Sequence, residues 1–343
     1  MPKILQMIGY STSQIGAVFA LAPLMRFIVP FFFLKHFELS QKVFYAALIG
    51  AVTAIMLFYP TVHSFYWFML PNMLLGACLG MILPYVETFA MEHLQKERFG
   101  RSRLFGSIGF MLIGIVLARH LENASNALHY LLAAIFLTAL SAYWLTHNNT
   151  AHTTQNITQV PLKKLHVIFL WISFFLMQVS FGAFYNFFTI YETQHGISLE
   201  VTSYLWSFGV ICEILMLYFQ SPLLKNNLLN IIKFCVAITT LRWALLYLYP
   251  DSLYLIFFTQ SIHAFSFGLY HSAVIIYLYS LYENKKLAQQ FMYGVAYGFG
   301  GFIGAFIAGF VYGEYLFLYS SIFAFLSFIM LLLNNHKINT QRI

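Results

Sequence analysis

The stretch LFLYSSIFAFLSFIMLLL, at positions 316–333, contains no charged residue and is nearly long enough to cross a bilayer as one helix. About 20 apolar residues span the hydrocarbon core, where a helix satisfies its own backbone hydrogen bonds. Similar runs fill the chain, which is 60% hydrophobic and only 8% charged. Eleven are predicted to span the membrane: 14–34, 42–60, 65–90, 103–119, 126–145, 165–189, 201–222, 229–248, 252–279, 288–312 and 314–333. The sequence therefore predicts an all-α polytopic membrane protein.

The basic residues are distributed unevenly between the two sides of the predicted membrane. The net charge is +7, and clusters such as 96–103 and 163–164 fall on alternate loops. The opposite loops contain only Lys3 and Arg119. Because cytoplasmic loops are enriched in Lys and Arg, this pattern predicts a multi-pass protein of the inner (cytoplasmic) membrane with a cytoplasmic C-terminus and an external N-terminus. The basic charge is explained by topology, so no nucleic-acid partner is expected.

No motif for a metal or a nucleotide is recognised. Cys78, Cys212 and Cys235 are isolated within apolar runs, without the spacing of a disulfide framework or a metal site. The glycines at 298–301 follow no strand and precede no Lys-Ser/Thr pair, so they do not form a phosphate loop. We expect no cofactor and no bound metal.

The polar stretch 146–164 is predicted to be a cytoplasmic linker between two helix bundles, 1–145 and 165–343. A shift of 187 residues aligns Gly9-Tyr10-Ser11 with Gly196-Ile197-Ser198, and a shift of 195 aligns three glycines in each half. The two halves therefore form a parallel repeat, as in transporters built from two bundles. The second half has a complete helix, 165–189, before its Gly-Ile-Ser turn. We accordingly expect roughly 20–30 codons upstream of Met1 to encode a matching apolar helix. The alternative is a true eleven-helix protein.

Five segments resemble the major facilitator superfamily, and the branch of 3-phenylpropionate permeases, nucleoside:proton symporters and oligosaccharide:proton symporters in particular. They are GYSTSQIG at 9–16 followed by Arg26, GRSRLFGSIG at 100–109, GVICEI at 209–214, Arg242-Trp243, and HAFSFGLYH at 263–271. The chain departs from this family in lacking its first helix and in having KHFE at 35–38 in place of the loop after helix two. The resemblance implies a two-bundle transporter fold with a norm of twelve helices. It implies proton-coupled symport of a small organic solute, with an aromatic acid such as a phenylpropionate-like compound favoured over a nucleoside or an oligosaccharide.

Ionisable side chains within the apolar runs are candidates for this function, because such a group is costly in lipid unless it is paired or faces water. The shift of 187 places Arg26 opposite Glu213, which predicts that both face a central cavity. Glu213 and Arg242 lie at similar depth on neighbouring helices, so they are predicted to pair. The alternatives are a static ion pair and a carboxylate that exchanges its Arg partner for a proton.

Polar residues at helical spacing mark two further faces. Gln178 and Asn186 share one face of 165–189, and His263, Tyr270 and His271 recur on 252–279 at steps that predict one helical face. These residues are predicted to line a substrate cavity; the alternative is a polar helix–helix contact.

Glu87 and Arg103, on either side of the loop from 92 to 102, are candidates for a cytoplasmic gate. The alternative for Glu87 is a solvated helix end.

Three classes of protein remain open from the sequence. The favoured class is a secondary transporter that binds a small molecule and protons and works as a monomer in the bilayer, with the proton gradient as its driving force. An integral-membrane enzyme would require clustered catalytic groups near one interface, which His263 and His271 do not provide, so no enzyme activity is expected. A passive channel would fail to accumulate solute under a gradient.

Overall fold

The computed structural model describes residues 1–36, 40–93, 105–116, 124–147, 167–225, 227–282 and 285–334. Within these ranges the regular structure is helical, and ten helices are long and apolar enough to cross a membrane. Ten of the eleven predicted spans are thus confirmed. The eleventh run, 103–119, contains the shorter apolar helix Phe105–Val116, and its ends lie outside the described residues. Most of the predicted linker lies outside them as well.

The helices are described in two groups, before and after the predicted linker. The first group is α1 (Pro2–Met7), α2 (Thr12–His36), α3 (Gln41–Thr61), α4 (Phe65–His93), α5 (Phe105–Val116) and α6 (Ala124–Thr146). The second group is α7 (Ile168–Ser180), α8 (Gly182–Gln194), α9 (Leu199–Phe219), α10 (Leu228–Leu248), α11 (Leu253–Ser261), α12 (Tyr270–Leu281), α13 (Lys285–Met292), α14 (Gly301–Phe310) and α15 (Leu316–Leu333). Two π-helical segments, Ala264–Leu269 and Tyr293–Gly300, join α11 to α12 and α13 to α14.

Large apolar side chains cover much of the exterior. Trp144 is 83% exposed, Phe105 75% and Phe219 66%. A soluble protein rarely exposes so much contiguous apolar surface, whereas lipid is the solvent that such a surface requires. Polar groups such as Arg242, Gln260 and Ser173 are buried in the interior instead.

The two halves repeat the same local structure where the shift of 187 residues aligns them. Gly9 and Gly196 both adopt positive φ, at 96° and 84°. The amide of Tyr10 donates to the carbonyl of Leu5, and the amide of Ile197 donates to that of Glu192 in the same way. Ser11 and Ser198 then accept backbone amide hydrogens at the starts of α2 and α9. The alignment of Gly9-Tyr10-Ser11 with Gly196-Ile197-Ser198 is therefore matched in local structure, and by this alignment α1 corresponds to the last turns of α8.

Small residues allow the bundles to approach closely. A Cβ atom on Gly16 of α2 would lie 2.7 Å from the Cα of Gly309 on α14, and one on Gly182 would lie 2.1 Å from the carbonyl carbon of Gly304. Gly301, Ala305 and Gly309 lie at four-residue steps on the α14 side of this contact, near Pro23 and Gly16 of α2.

Three predicted spans are interrupted in ways that periodicity does not reveal. The run 165–189 divides at Phe181 into α7 and α8, next to the close contact between Gly182 and Gly304. The runs 252–279 and 288–312 each contain a π-helical segment, whose wider turn changes which residues share a face.

Replacing Gly182 with Ala should destabilise the protein by about 1–3 kcal/mol, because the added methyl group meets backbone atoms that cannot rotate away. The measurement is thermal unfolding of the purified protein in detergent. The matched control is Gly109→Ala on α5, where no described atom lies within 4 Å of the new methyl group. That control should unfold at the same temperature or higher, since Ala favours a helix over Gly. Equal unfolding temperatures for the two variants would contradict the proposed packing role of Gly182.

Candidate functional site

The polar centre of the second bundle is the guanidinium group of Arg242 on α10. Its side chain is fully buried and donates to three acceptors on the neighbouring span. One terminal nitrogen contacts Ser266 Oγ at 2.9 Å and His263 Nδ1 at 3.1 Å, and the other contacts Gln260 Oε1 at 3.1 Å. A buried cation without such partners would be strongly destabilising. The acceptors on the neighbouring span therefore stabilise Arg242 at bilayer depth.

Aromatic rings complete the surroundings of Arg242. The carbon at the centre of the guanidinium lies 4.4 Å from the ring centroid of Phe184 and 4.5 Å from that of Trp243. Both distances are typical of cation–π contacts, which strengthen when water is excluded. Phe184 also packs against Trp206, so an aromatic wall continues from α8 to α9.

His263 joins Arg242 to the carboxylate of Glu213 on α9. Because arginine only donates, His263 Nδ1 accepts from it, and in the neutral ring the proton is therefore on Nε2. His263 Nε2 lies 3.6 Å from Glu213 Oε2. The direct Glu213–Arg242 ion pair that depth alone predicted is not formed. The two charges are bridged by His263 instead, because α11 and the π segment lie between them.

Glycines allow α9 to approach this span. A Cβ on Gly209 would lie 3.4 Å from Gln260 Oε1, and one on Gly268 would lie 3.3 Å from the Glu213 Cγ. The space at Gly268 is tighter than most side chains accept, so glycine there allows Glu213 to lie beside this span, whereas Gly209 is in ordinary contact with Gln260. The Glu213 side chain is 13% exposed and that of His263 is 8% exposed. Glu213 is therefore the more accessible end of the Arg242 cluster, by which we mean Arg242, Gln260, His263, Ser266 and Glu213.

A second group lies further along the same span. The rings of His263 and Phe267 stack with centroids 5.3 Å apart, and Phe267 stacks in turn on His271 at 6.2 Å. His271 Nδ1 is 2.8 Å from the Tyr297 hydroxyl, and its Nε2 is 3.3 Å from the Tyr293 hydroxyl. His271 therefore contacts the π segment of the α13–α14 span and not Arg242.

Three other predicted substrate contacts lie apart from the Arg242 cluster. Tyr270 is 1% exposed and packs edge-on against Phe174 inside the second bundle, because the π turn rotates it away from His263. Gln178 is buried, and its Cβ lies 3.1 Å from the position that a Cβ on Gly300 would occupy. Asn186 donates to the carbonyl of Gly182 in its own helix.

Arg26 lies on the opposite bundle, on α2, and its side chain is exposed. A Cβ on Gly80 of α4 would lie 3.5 Å from the Arg26 Cα and 3.7 Å from its Cγ. Because glycine has no side chain, Gly80 leaves room for the arginine. No ion pair joins Arg26 to a described carboxylate. The predicted gate lies outside the described residues: Arg103 is not among them, and for Glu87 only the backbone of α4 is described.

Sequence reasoning missed the ring faces that hold Arg242 and the tyrosines that hold His271. Phe184 lies in a run of aromatic residues where no spacing distinguishes it, and Trp243 is adjacent to Arg242 without being on the same predicted face. Tyr293 and Tyr297 share a four-residue step in 288–312, which was the available signal.

Comparisons with known proteins agree with this architecture. The MFS_1 like family matches residues 1–326. The uncharacterized transporter YwbF of Bacillus subtilis (strain 168) is 27% identical over 330 residues, which cover 92% of this chain and 80% of the relative.

Two solved transporters have a similar fold. A point mutant of the nucleoside transporter NupG has a TM-score of 0.79 at 16% identity, with 97% of this chain and 93% of that chain covered. A bacterial homologue of the iron transporter ferroportin, in an inward-facing state, has a TM-score of 0.72 at 13% identity, with coverage of 98% and 93%. At these identities the likeness establishes the fold.

Proposed function

We propose proton-coupled symport of a small organic solute for this chain, which belongs to the MFS_1 like family and is a polytopic membrane transporter. The observation that supports this proposal is the Arg242 cluster, in which a partly exposed carboxylate, Glu213, is joined through His263 to a buried arginine. A coupling residue must alternate between two charge states, and a carboxylate that is partly exposed and linked to a buried cation is suited to that role.

The two arrangements differ in net charge. When Glu213 is ionised, its charge offsets that of Arg242, and the Nε2 hydrogen of His263 points toward the carboxylate. When Glu213 takes up a proton, the positive charge of Arg242 is no longer balanced within the cluster. A solute anion entering the cavity then restores neutrality, so protonation favours anion binding and the two events become coupled. Release of both on the cytoplasmic side completes the transport cycle.

The favoured solute is an aromatic carboxylic acid. Arg26 offers an exposed guanidinium at bilayer depth, which binds a carboxylate through two parallel hydrogen bonds. Tyr185, which is partly exposed, and Trp206, which packs on the Phe184 ring over Arg242, supply ring faces for an aromatic group. We further propose that the protein lies in the inner membrane with its C-terminus in the cytoplasm, on the basis of the distribution of Lys and Arg.

A nucleoside is the second candidate solute, because the fold is similar to that of a nucleoside transporter and a base would also stack on the aromatic wall. A neutral nucleoside would give Arg26 no anionic partner beyond any that lies outside the described residues. The test is uptake into proteoliposomes under an imposed pH gradient, with 3-phenylpropionate, a set of nucleosides and short oligosaccharides as solutes. Uphill accumulation that collapses with a protonophore is expected for the acid. Equal fluxes with and without the gradient, for every solute, would reject symport.

Arg26→Lys should weaken uptake of an acidic solute at least about tenfold, because an ammonium group cannot reproduce the two parallel hydrogen bonds of a guanidinium. The measurement is the concentration dependence of uptake. We expect membrane insertion and the amount of protein to be unchanged, since the charge is retained.

Substrate protection provides the accompanying control. Single cysteines at 26 and 263, in a background lacking Cys78, Cys212 and Cys235, should react more slowly with a thiol reagent when solute is saturating. A cysteine at 270, which lies inside the second bundle, and Ser11→Cys, on the exposed turn before α2, should react at the same rate with and without solute. Unprotected cysteines at both 26 and 263 would remove these residues from the solute site. Loss of protection at 26 alone would favour a neutral solute.

A further inference from the structure

Glu192, near the end of α8, is a carboxylate that the Arg242 cluster does not use. It is fully buried, and within the described part of the chain neither of its oxygens accepts a hydrogen bond. It lies eight residues after Phe184, the ring over Arg242, and so about 12 Å further along the helix axis. The charge pattern predicts that this end of the helix faces outside.

The donors around Glu192 are engaged elsewhere. Lys3 of α1 donates to Gln6 and to Thr193 Oγ1, at 2.8 and 3.0 Å, and not to Glu192. His195 Nδ1 lies 2.9 Å from the carbonyl of Tyr191, and the Tyr312 hydroxyl donates to Gln194. The titratable and charged groups described near this end of α8 are Lys3, Tyr191, His195, Tyr247, Asp251, Tyr312 and Glu314.

The internal repeat allows Glu192 to be compared with the equivalent residue of the first half. Glu192 corresponds to Leu5 of α1 in the repeat, both side chains are fully buried, and α1 packs against α8. One half therefore fills the position with leucine and the other with a group that is apolar only when it carries a proton. An ionised carboxylate in the same dry contact has no partner and is strongly disfavoured.

We propose that Glu192 is a proton-binding site separate from the Arg242 cluster, and that its protonation keeps the outer ends of α1 and α8 in contact. Uptake of one proton converts the carboxylate to the acid and permits the dry contact. Loss of that proton leaves a charge that requires water, so the two ends separate and the cavity opens outward. Glu192 thus makes the opening of the outer end depend on external pH, whatever the solute.

The test measures access to Leu5→Cys in the full chain, without Cys78, Cys212 and Cys235, reconstituted in liposomes. Labelling by a membrane-impermeant thiol reagent is followed from about pH 5 to about pH 9. It is divided by the labelling of Ser11→Cys, which is exposed and corrects for thiol reactivity. With Glu192 present, the ratio should rise at least about fivefold toward alkaline pH as the closed population falls. Glu192→Gln, which mimics the acid, should keep the ratio low throughout.

Two further variants make the outcome specific. Glu192→Leu copies the first half of the chain and should also keep the ratio low, so the test survives if the Gln variant fails to fold. Glu314→Gln removes an exposed carboxylate nearby and should leave the rise intact. A rise that persists in both Glu192 variants, or a flat ratio with Glu192 present, would overturn the proposal. Because no solute is added, these results do not depend on whether Glu213 couples transport.

Discussion

Glu213→Gln is expected to abolish uphill accumulation of solute while exchange of solute across the membrane continues. Glutamine keeps the shape of the protonated side chain but cannot release a proton, so the charge of the Arg242 cluster no longer alternates. The accumulation ratio under an inward pH gradient should fall to about one, the value for a carrier without coupling. Counterflow, in which labelled solute exchanges against internal unlabelled solute, should retain the same order of magnitude.

The matched control is Glu200→Gln on the same helix. Glu200 is exposed, and its carboxylate accepts from the hydroxyl of Tyr204 within the first turn of α9. It therefore removes a charge of the same kind without touching the Arg242 cluster, and accumulation should be unchanged. If Glu213→Gln still concentrates solute at the normal rate, coupling belongs to another group, and His263 would be the next to substitute.

Run length and charge predict most of this fold because the bilayer restricts the alternatives. A helix in lipid must be long, apolar and internally hydrogen-bonded, so ten spans were recognisable from length and composition. The repeat was also recognisable, because glycines with positive φ and serine caps occupy fixed positions in a turn, as Gly9 and Gly196 confirm. These are local constraints, and a single sequence displays them directly.

The interruptions within spans were not predicted because they depend on the neighbouring helix. Nothing in the run 165–189 indicates a break at Phe181, and the reason lies over 120 residues away, where Gly304 meets Gly182. The π segment at Ala264–Leu269 likewise divides a face that periodicity treated as one. It leaves His263 and Ser266 on Arg242 and directs Tyr270 into the bundle.

The sequence identified the residues of the candidate site but not the contacts between them. Glu213, Arg242 and His263 were each identified by the cost of an ionisable group in lipid. Their order was wrong, since depth along two helices predicted a direct pair and His263 bridges it. Helical rise gives the depth of a residue, but the rotation of a helix about its axis is determined by tertiary packing, which a single sequence does not display.

Arg242→Lys is expected to impair both stability and transport, although it keeps the charge. The guanidinium donates to His263, Ser266 and Gln260 and lies between two ring faces. A single ammonium cannot reach all three acceptors, so at least one buried acceptor is left without a donor, at a cost of about 1–3 kcal/mol. If the lysine does not donate to His263 Nδ1, the proton of the neutral ring is no longer fixed on Nε2. The contact between His263 Nε2 and Glu213 is then no longer maintained. A cost of about 3 kcal/mol in the transport cycle corresponds to roughly a hundredfold slower uptake.

The measurements are thermal unfolding in detergent and uptake under a pH gradient at matched protein levels. The control is Lys233→Arg, the reverse exchange on the same helix, at a partly buried position near the inner end of α10. It should change neither quantity, because a longer cation is tolerated where no fixed set of acceptors surrounds it. A normal unfolding temperature together with normal uptake in Arg242→Lys would show that only the charge matters. Normal unfolding with slow uptake would instead assign Arg242 to the transport cycle, since its role in packing would then be met by lysine.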